Sequence, residues 1–350
     1  MIHKQLTEWP TAVKIPSDFI QREYTMSKYD VYGLGNALVD MEFEIHDTFL
    51  QENNIDKGVM TLVDENQQHD LVSQLDVFEG NKASGGSAAN TLIAVSAMGG
   101  SAYYSCKVGD DELGHFYLDD LKAAGIDCNM DGKHKGGITG KCLVMVTPDA
   151  ERTMHTFLGI SSEMSPYEIS EDAIRQSQFC YLEGYLTTSE TGKAANIAAR
   201  EIAQENNVKT ALTFSDPFVV EHFKDGFSET IGDGIDLLFC NEAEAISYTG
   251  KDSVEDAVEV IKTFARTFAI TLGAKGAVVY DGSALIEIAP NPVKAIDTNG
   301  AGDLFAGAFM YGLTHGMDFQ QAGELASKAS SIIVSQFGPR LKLEQYQALV

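Results

Sequence analysis

No basic run occurs anywhere in this chain: 25 Lys and Arg stand against 51 Asp and Glu, a formal net charge of −26. Binding along a phosphate backbone needs a net or local excess of cationic side chains, so the composition argues against a nucleic-acid partner. Any anionic ligand must be held by backbone N–H groups, by one or two placed cations, or by a metal ion. No apolar stretch approaches the ~18–20 residues that span a bilayer. The first residues, MIHKQLTEWPTAVKIPSDF, carry charges and prolines where a signal peptide needs an apolar segment. Cysteine is scarce: Cys106, Cys128, Cys142, Cys180 and Cys240 are odd in number and lack CxxC spacing, which speaks against a disulfide framework and a Cys-type zinc site. The histidines form no HExxH pattern, and no GxxxxGK[ST] loop occurs in a phosphate-binding context. In YGLGNALVD, Leu38 stands where a dinucleotide GxGxxG needs its third glycine. These absences predict a cytoplasmic protein in a reducing compartment, with no membrane partner.

What is present is a globular composition, 44% hydrophobic and 22% charged, over 350 residues, enough for one large domain or two modest ones. Residues 1–27 hold the only Trp, Trp9, and show no clear periodicity, so they read as an N-terminal extension. From residue 28 onward strand-like and helix-like segments alternate. YDVYGLG reads as a strand and SAANTLIAVSAMGG as a helix of small residues. ELGHFYLDDLKAAGI places Leu113, Phe116, Tyr117, Leu121 and Ala124 on one helical face and stops at Gly125. FCYLEGYL, TALTFSD and IDLLFCN continue as strands, FAITLGAKGAVVYDG as strand–turn–strand, and DLFAGAFMYGLTHG as a closing helix. Such alternation predicts an α/β fold: a doubly wound, mostly parallel sheet with helices on both faces. Two regions, about 41–63 and 126–158, break the rhythm with extended segments and turns, and read as a small accessory sheet.

Four motifs carry candidate chemistry. The most specific is Asp297-Thr298-Asn299-Gly300-Ala301-Gly302-Asp303, followed by an apolar helix. Glycines let successive N–H groups converge, and a helix start offers unpaired N–H groups and partial positive charge, which together make an anion site without a cation. Asp303 lies beside such an anion, where a carboxylate can take the proton of an attacking hydroxyl. The plainer alternative is an Asp that complements the helix dipole, worth ~0.3–1 kcal/mol. Second, Ser84-Gly85-Gly86-Ser87-Ala88-Ala89-Asn90 opens a helix; its glycines permit close approach, and Asn90 offers donors and acceptors to a polyhydroxylated ligand. Third, Asp40 in Gly35-Asn36-Ala37-Leu38-Val39-Asp40 follows a strand, where an acid can bind a ligand hydroxyl. Fourth, Asn241-Glu242-Ala243-Glu244 suits both helix capping and a functional role.

In this order the motifs resemble the ribokinase-like (PfkB) family of sugar and nucleoside kinases over roughly 28–340, most closely its bacterial adenosine kinase branch through GNALVD, GGSAAN, YLEGY and Asn299. The resemblance implies a doubly wound kinase domain over 28–350 with a small β lid drawn from 41–63 and 126–158. It implies Asp303 as general base and the backbone of Gly300, Ala301 and Gly302 as anion hole. Asp40, Gly85, Gly86 and Asn90 would meet the ribose hydroxyls, with Leu38, Cys142, Met145 and Tyr185 as candidates for the base. Arg152 would reach from the lid toward the transferred phosphate. Asn241 and Glu244 would organise Mg²⁺, Glu244 through water, and Thr271, Gly273 and Asn299 would lie by ATP. Some members of the family also use a monovalent cation.

The expected reaction is ATP-dependent phosphorylation of a nucleoside 5′-hydroxyl, adenosine to AMP. A ribokinase- or fructokinase-like sugar kinase, a guanosine or inosine kinase, and a nucleoside-binding protein without catalysis are the alternatives. Monomer and homodimer both stay open.

Overall fold

The computed structural model describes residues 27–58, 60–75, 80–129, 136–149 and 151–350. All of the proposed N-terminal extension except Ser27 lies outside the described residues. Fourteen strands are described: β1 (Tyr29–Leu34), β2 (Leu38–Glu44), β3 (Met60–Leu62), β4 (Gly80–Gly85), β5 (Ala102–Ser105), β6 (Ile126–Cys128), β7 (Gly140–Val146), β8 (Arg152–Phe157), β9 (Ser177–Glu183), β10 (Lys209–Thr213), β11 (Ile235–Asn241), β12 (Ala265–Thr271), β13 (Ala277–Tyr280) and β14 (Leu285–Ile288). They form two sheets. The larger runs β14-β13-β12-β11-β10-β9-β1-β5-β6, and the smaller runs β3-β8-β7-β2-β4. From β12 to β6 all neighbours are parallel, and only the β12–β13 and β13–β14 pairs are antiparallel. The predicted doubly wound, mostly parallel sheet is what forms.

Successive strand residues point to opposite faces, so a strand covered on both sides reads as a nearly unbroken apolar run. In β9, Phe179 and Tyr181 enter one core while Cys180 and Leu182 enter the other. In β11, Leu237 and Phe239 face the first core and Leu238 and Cys240 the second. The helices Ser87–Ala97, Ala301–Thr314 and Phe319–Ile333 cover the first face, and Glu190–Glu205, Lys224–Ile231, Glu242–Thr249 and Val254–Ile261 the second. Among the described residues no helix is long and apolar enough to cross a membrane.

The smaller sheet differs from the expected segments at three places. It begins at Leu38, within the GNALVD motif. It takes in β4, because Gly80–Gly85 pairs antiparallel with β2 with Gly85 opposite Leu38. Ile126–Cys128, assigned by sequence to the accessory sheet, instead extends the large one: after the helix Glu112–Ala123 the chain crosses over and pairs parallel with β5.

One close contact sets the geometry of everything below. A Cβ at Gly307 would stand 2.5 Å from the Thr91 carbonyl oxygen and 2.7 Å from the Ala94 Cβ. Only glycine lets the helix 301–314 approach the helix 87–97 this closely, and their N-terminal turns therefore face each other. Gly307→Ala overpacks the crossing and should cost about 1–3 kcal/mol, measured as a lower midpoint of urea denaturation; an unchanged midpoint would show that the crossing yields.

Candidate active site

The strands of the large sheet end on one side in a cleft of about 1120 Å³, the position at which open parallel sheets bind their ligands. Glu183 ends β9, Thr213 ends β10, Asn241 ends β11 and Thr271 ends β12, and all four line it. Cys142, Val144, Met154 and Thr156 of the smaller sheet close it from above.

Asp303 sits at the third position of its helix. Gly300, the N-cap, has φ +71°, and a Cβ there would stand 2.5 Å from the Pro339 carbonyl oxygen, so this turn demands glycine. Among the described residues the Gly300, Gly302 and Asp303 N–H groups have no partner, whereas Ala301 N–H donates to the Thr298 carbonyl at 3.3 Å. The loop is tied from behind by Asp297, whose carboxylate accepts from the N–H of Asn299 (3.0 Å) and of Gly338 (2.9 Å). The Asp303 carboxylate accepts from Ser87 Oγ (2.6 Å) and Asn90 Nδ2 (3.2 Å), both on the facing helix. Burial raises Asp303 to about 6, against the Ser87 and Asn90 hydrogen bonds and the charge of Arg340.

Asp40 points into the cleft from β2, diagonally across from Gly85 on β4. A Cβ on Gly85 would lie 2.3 Å from the Asp40 carboxyl, so the glycine is space for that side chain. Burial raises Asp40 to about 7, opposed by Arg340 and reinforced by the neighbouring Asp303. Glu183, fully buried, accepts from the N–H groups of Asn36 (3.0 Å) and Ala88 (2.9 Å) and from Asn36 Nδ2 (3.1 Å). Burial pushes it to about 7. Asn241 and Glu244 form a reciprocal capping box: Asn241 Oδ1 accepts from Glu244 N–H, and Glu244 accepts from Asn241 N–H, each at 2.9 Å. Burial, with Asp216 and Asp303 nearby, raises Glu244 to about 7. The Glu244 carboxylate thus lies in the cleft among anions, and a cation there would relieve the repulsion. That donor set fits a divalent ion held by one carboxylate with water and ligand phosphates, the usual pattern for magnesium; among the described residues no cluster of three acidic, His or Cys side chains would hold a metal alone.

The structure brings Leu38, Asp40, Gly86, Asn90, Cys142, Tyr185, Asn241, Glu244, Thr271, Asn299, Gly300, Ala301, Gly302 and Asp303 to this one cleft. Four candidates fall elsewhere. Met145 is fully buried in the first core, because strand alternation turns it away from the face that carries Cys142 and Val144. Gly85 stands behind Asp40, and Gly273 lies in an exposed turn beyond the cleft. Arg152 is not aimed into the cleft: it pairs with Glu42 (2.8 Å) and with Asp297, linking the smaller sheet to the Asp297–Asp303 loop. Conversely, Asn36, Ser87, Glu183 and Arg340 were not singled out by sequence reasoning. Ser87 and Glu183 stand inside segments already noted, GGSAAN and YLEGY, whereas nothing in FGPR marks Arg340.

The fold and cleft are those of a phosphotransferase built on a ribokinase-like α/β domain. A family model described as pfkB family carbohydrate kinase matches residues 55–345, and the chain belongs to that family. It is an ATP-dependent kinase of the nucleoside and sugar kinase class. The solved structure of adenosine kinase from Sinorhizobium meliloti is 35% identical, with a TM-score of 0.83 over 91% of this chain and 98% of that one. A probable sugar kinase from Rhizobium etli is 33% identical, with a TM-score of 0.84 over 93% and 100%. The adenosine kinase of Schizophyllum commune is 27% identical across 93% of this chain and 100% of its own.

Burial of Glu183 has a consequence for stability. Its carboxyl binds a proton more tightly in the folded chain (about 7) than at its ordinary 4.5. Its contribution therefore favours folding below about pH 4.5 and is lost as pH rises through 7. Glu183→Gln should flatten the decline of unfolding free energy between pH 5 and 8, measured by denaturant titration at each pH; an identical slope would contradict the assignment.

Proposed function

We propose that this chain transfers the γ-phosphoryl group of ATP to the 5′-hydroxyl of a nucleoside, adenosine in preference to other nucleosides and to free sugars. The observation that carries the reading is a buried carboxylate, Asp303, held at a helix N-terminus where the N–H groups of Gly300, Gly302 and Asp303 have no partner among the described residues, in one cleft with Asp40 and Asn90.

Each residue then has a stated task. Asp303 accepts the proton of the 5′-hydroxyl as the oxygen attacks phosphorus, and Ser87 and Asn90 hold its carboxylate in line. The free N–H groups of Gly300 and Gly302, with the helix end, stabilise the charge on the transferring group. Asp40 accepts from ribose hydroxyls, and the second Nδ2 hydrogen of Asn90 donates to them. Glu244, oriented by Asn241, would hold through water a magnesium ion, which would supply charge neutralisation to the donor phosphates. Thr271 and Asn299 flank the ATP side. Arg152, tied to Asp297, supports the anion loop from behind. The apolar wall formed by Leu38, Cys142, Val144 and Met154 next to Tyr185 suits a flat base, which a free sugar lacks.

A panel of adenosine, guanosine, inosine, ribose and fructose with MgATP, read by ADP release, tests the acceptor. Adenosine should have the largest kcat/KM; equal turnover of ribose or fructose would reject the nucleoside reading. Asp303→Asn should lower kcat by ~10²–10⁴ while adenosine binding persists. Asp40→Ala should weaken adenosine binding by roughly 1.5–3 kcal/mol, the contribution of a charge-assisted hydrogen bond, measured by calorimetry. Because the base must be ionised, wild-type kcat should fall as pH drops through about 6.

A further inference from the structure

Arg340 enters the site region from the last turn before the C-terminal helix Leu343–Gln347. Its side chain is 17% exposed and it does not line the cleft. Its guanidinium makes a three-way fork: Nε donates to Asn90 Oδ1 (3.0 Å), Nη1 to Asp120 Oδ2 (2.9 Å) and Nη2 to Ser84 Oγ (2.9 Å). Ser84 Oγ passes its own hydrogen to the same Asp120 carboxylate. Asp120 and Ser84 thus fix the plane of the guanidinium, and Asn90 meets one edge of it.

Asn90 is 94% buried by its 6% exposure and lies between Arg340 and Asp303. Arginine has only donors and an ionised carboxylate only acceptors. An amide between them has one satisfactory orientation: Oδ1 toward Arg340 and Nδ2 toward Asp303. Rotating the amide by half a turn would set Oδ1 against the carboxylate and Nδ2 against the guanidinium, two repulsive contacts in a buried place. The same short segment supports the anion loop, since Gly338 N–H donates to Asp297 and the Pro339 carbonyl abuts Gly300.

We propose that Arg340 is a positioning residue for phosphoryl transfer, locking the Asn90 amide so that it donates to Asp303 and setting a fixed positive charge beside Asp303 and Asp40. The inference rests on the reading of Asp303 as the base. The surroundings explain why a fixed cation matters there. Asp303 is faced by Asp40, Glu183 and Glu244 and by the phenols of Tyr181, Tyr185 and Tyr346. Arg340 is the cation that opposes the effect of burial on it. Asp40 is faced by Asp303 and Glu42 on the acidic side and by Arg340 and, more weakly, Arg152 on the basic side. A lysine would keep the charge without the planar fork.

The test is the dependence of kcat on pH, between 5 and 9, for the full-length wild type, Arg340→Gln, Arg340→Lys and Asp303→Asn with adenosine and MgATP. In Arg340→Gln the acid limb should move up by about one pH unit, the shift expected when an opposite charge near a carboxylate is removed. At pH 9 its activity should recover only to the level of Arg340→Lys, about tenfold below wild type, because the fork that holds Asn90 is lost in both. Arg340→Lys should hold the limb at the wild-type position yet turn over about tenfold more slowly, the equivalent of one charge-assisted hydrogen bond. A limb that stays in place in Arg340→Gln with activity lost equally at every pH would overturn the inference, as would wild-type kcat in Arg340→Lys. If Arg340→Gln shows no cooperative melt, the lysine variant decides by the same criterion. An active Asp303→Asn would instead remove the base reading itself, an outcome separate from those two.

Discussion

The arrangement depends on a single buried contact: a carboxylate gripped by a hydroxyl and an amide from a helix that crosses its own. Ser87 and Asn90 meet Asp303 because Gly307 permits the two helices to touch where Thr91 and Ala94 leave no room for a side chain. Each helix start carries partial positive charge, so two such ends directed at one cleft concentrate favourable potential in a chain of strongly negative net charge. Local backbone geometry supplies what the composition does not.

Around that contact the acidic groups are graded by their surroundings. Asp303 has two direct donors, Glu183 has three, Glu244 has its capping partner, and Asp40 lies in the cleft beside glycine. All four are raised by burial. Holding several carboxyls out of water without paired cations is unfavourable in isolation. It is consistent with a cleft whose ligands carry hydroxyls on one side and a cation with phosphates on the other.

Much of this was legible beforehand. The alternation of apolar strands and amphipathic helices carried the doubly wound sheet, because a strand buried on both faces leaves a plain apolar signature. Asp297–Asp303 was legible because glycines, a helix start and an acid at fixed spacing have few other uses. Met145 was misplaced because side-chain direction in β7 depends on register, and one residue's slip reverses the face. The β4 strand was hidden by its glycines, which weaken any strand signal; Gly85 is space for Asp40. Ile126–Cys128 is too short to reveal its sheet. Arg340 lies 250 positions from Asn90, and no local pattern announces a partner that distant.

Gly35-Asn36-Ala37, between β1 and β2, is one of the connections between the two sheets. That connector is fastened at several points: Glu183 and Ser161 accept from its N–H groups, Ser161 donates to the Asn36 side chain, and Tyr104 donates to its carbonyl. Far from this strap, Arg152 bolts the same sheet to Asp297. Displacing the small sheet would therefore stretch or release the Arg152–Asp297 pair, so the cover above the cleft and the loop at the start of the helix 301–314 are mechanically coupled.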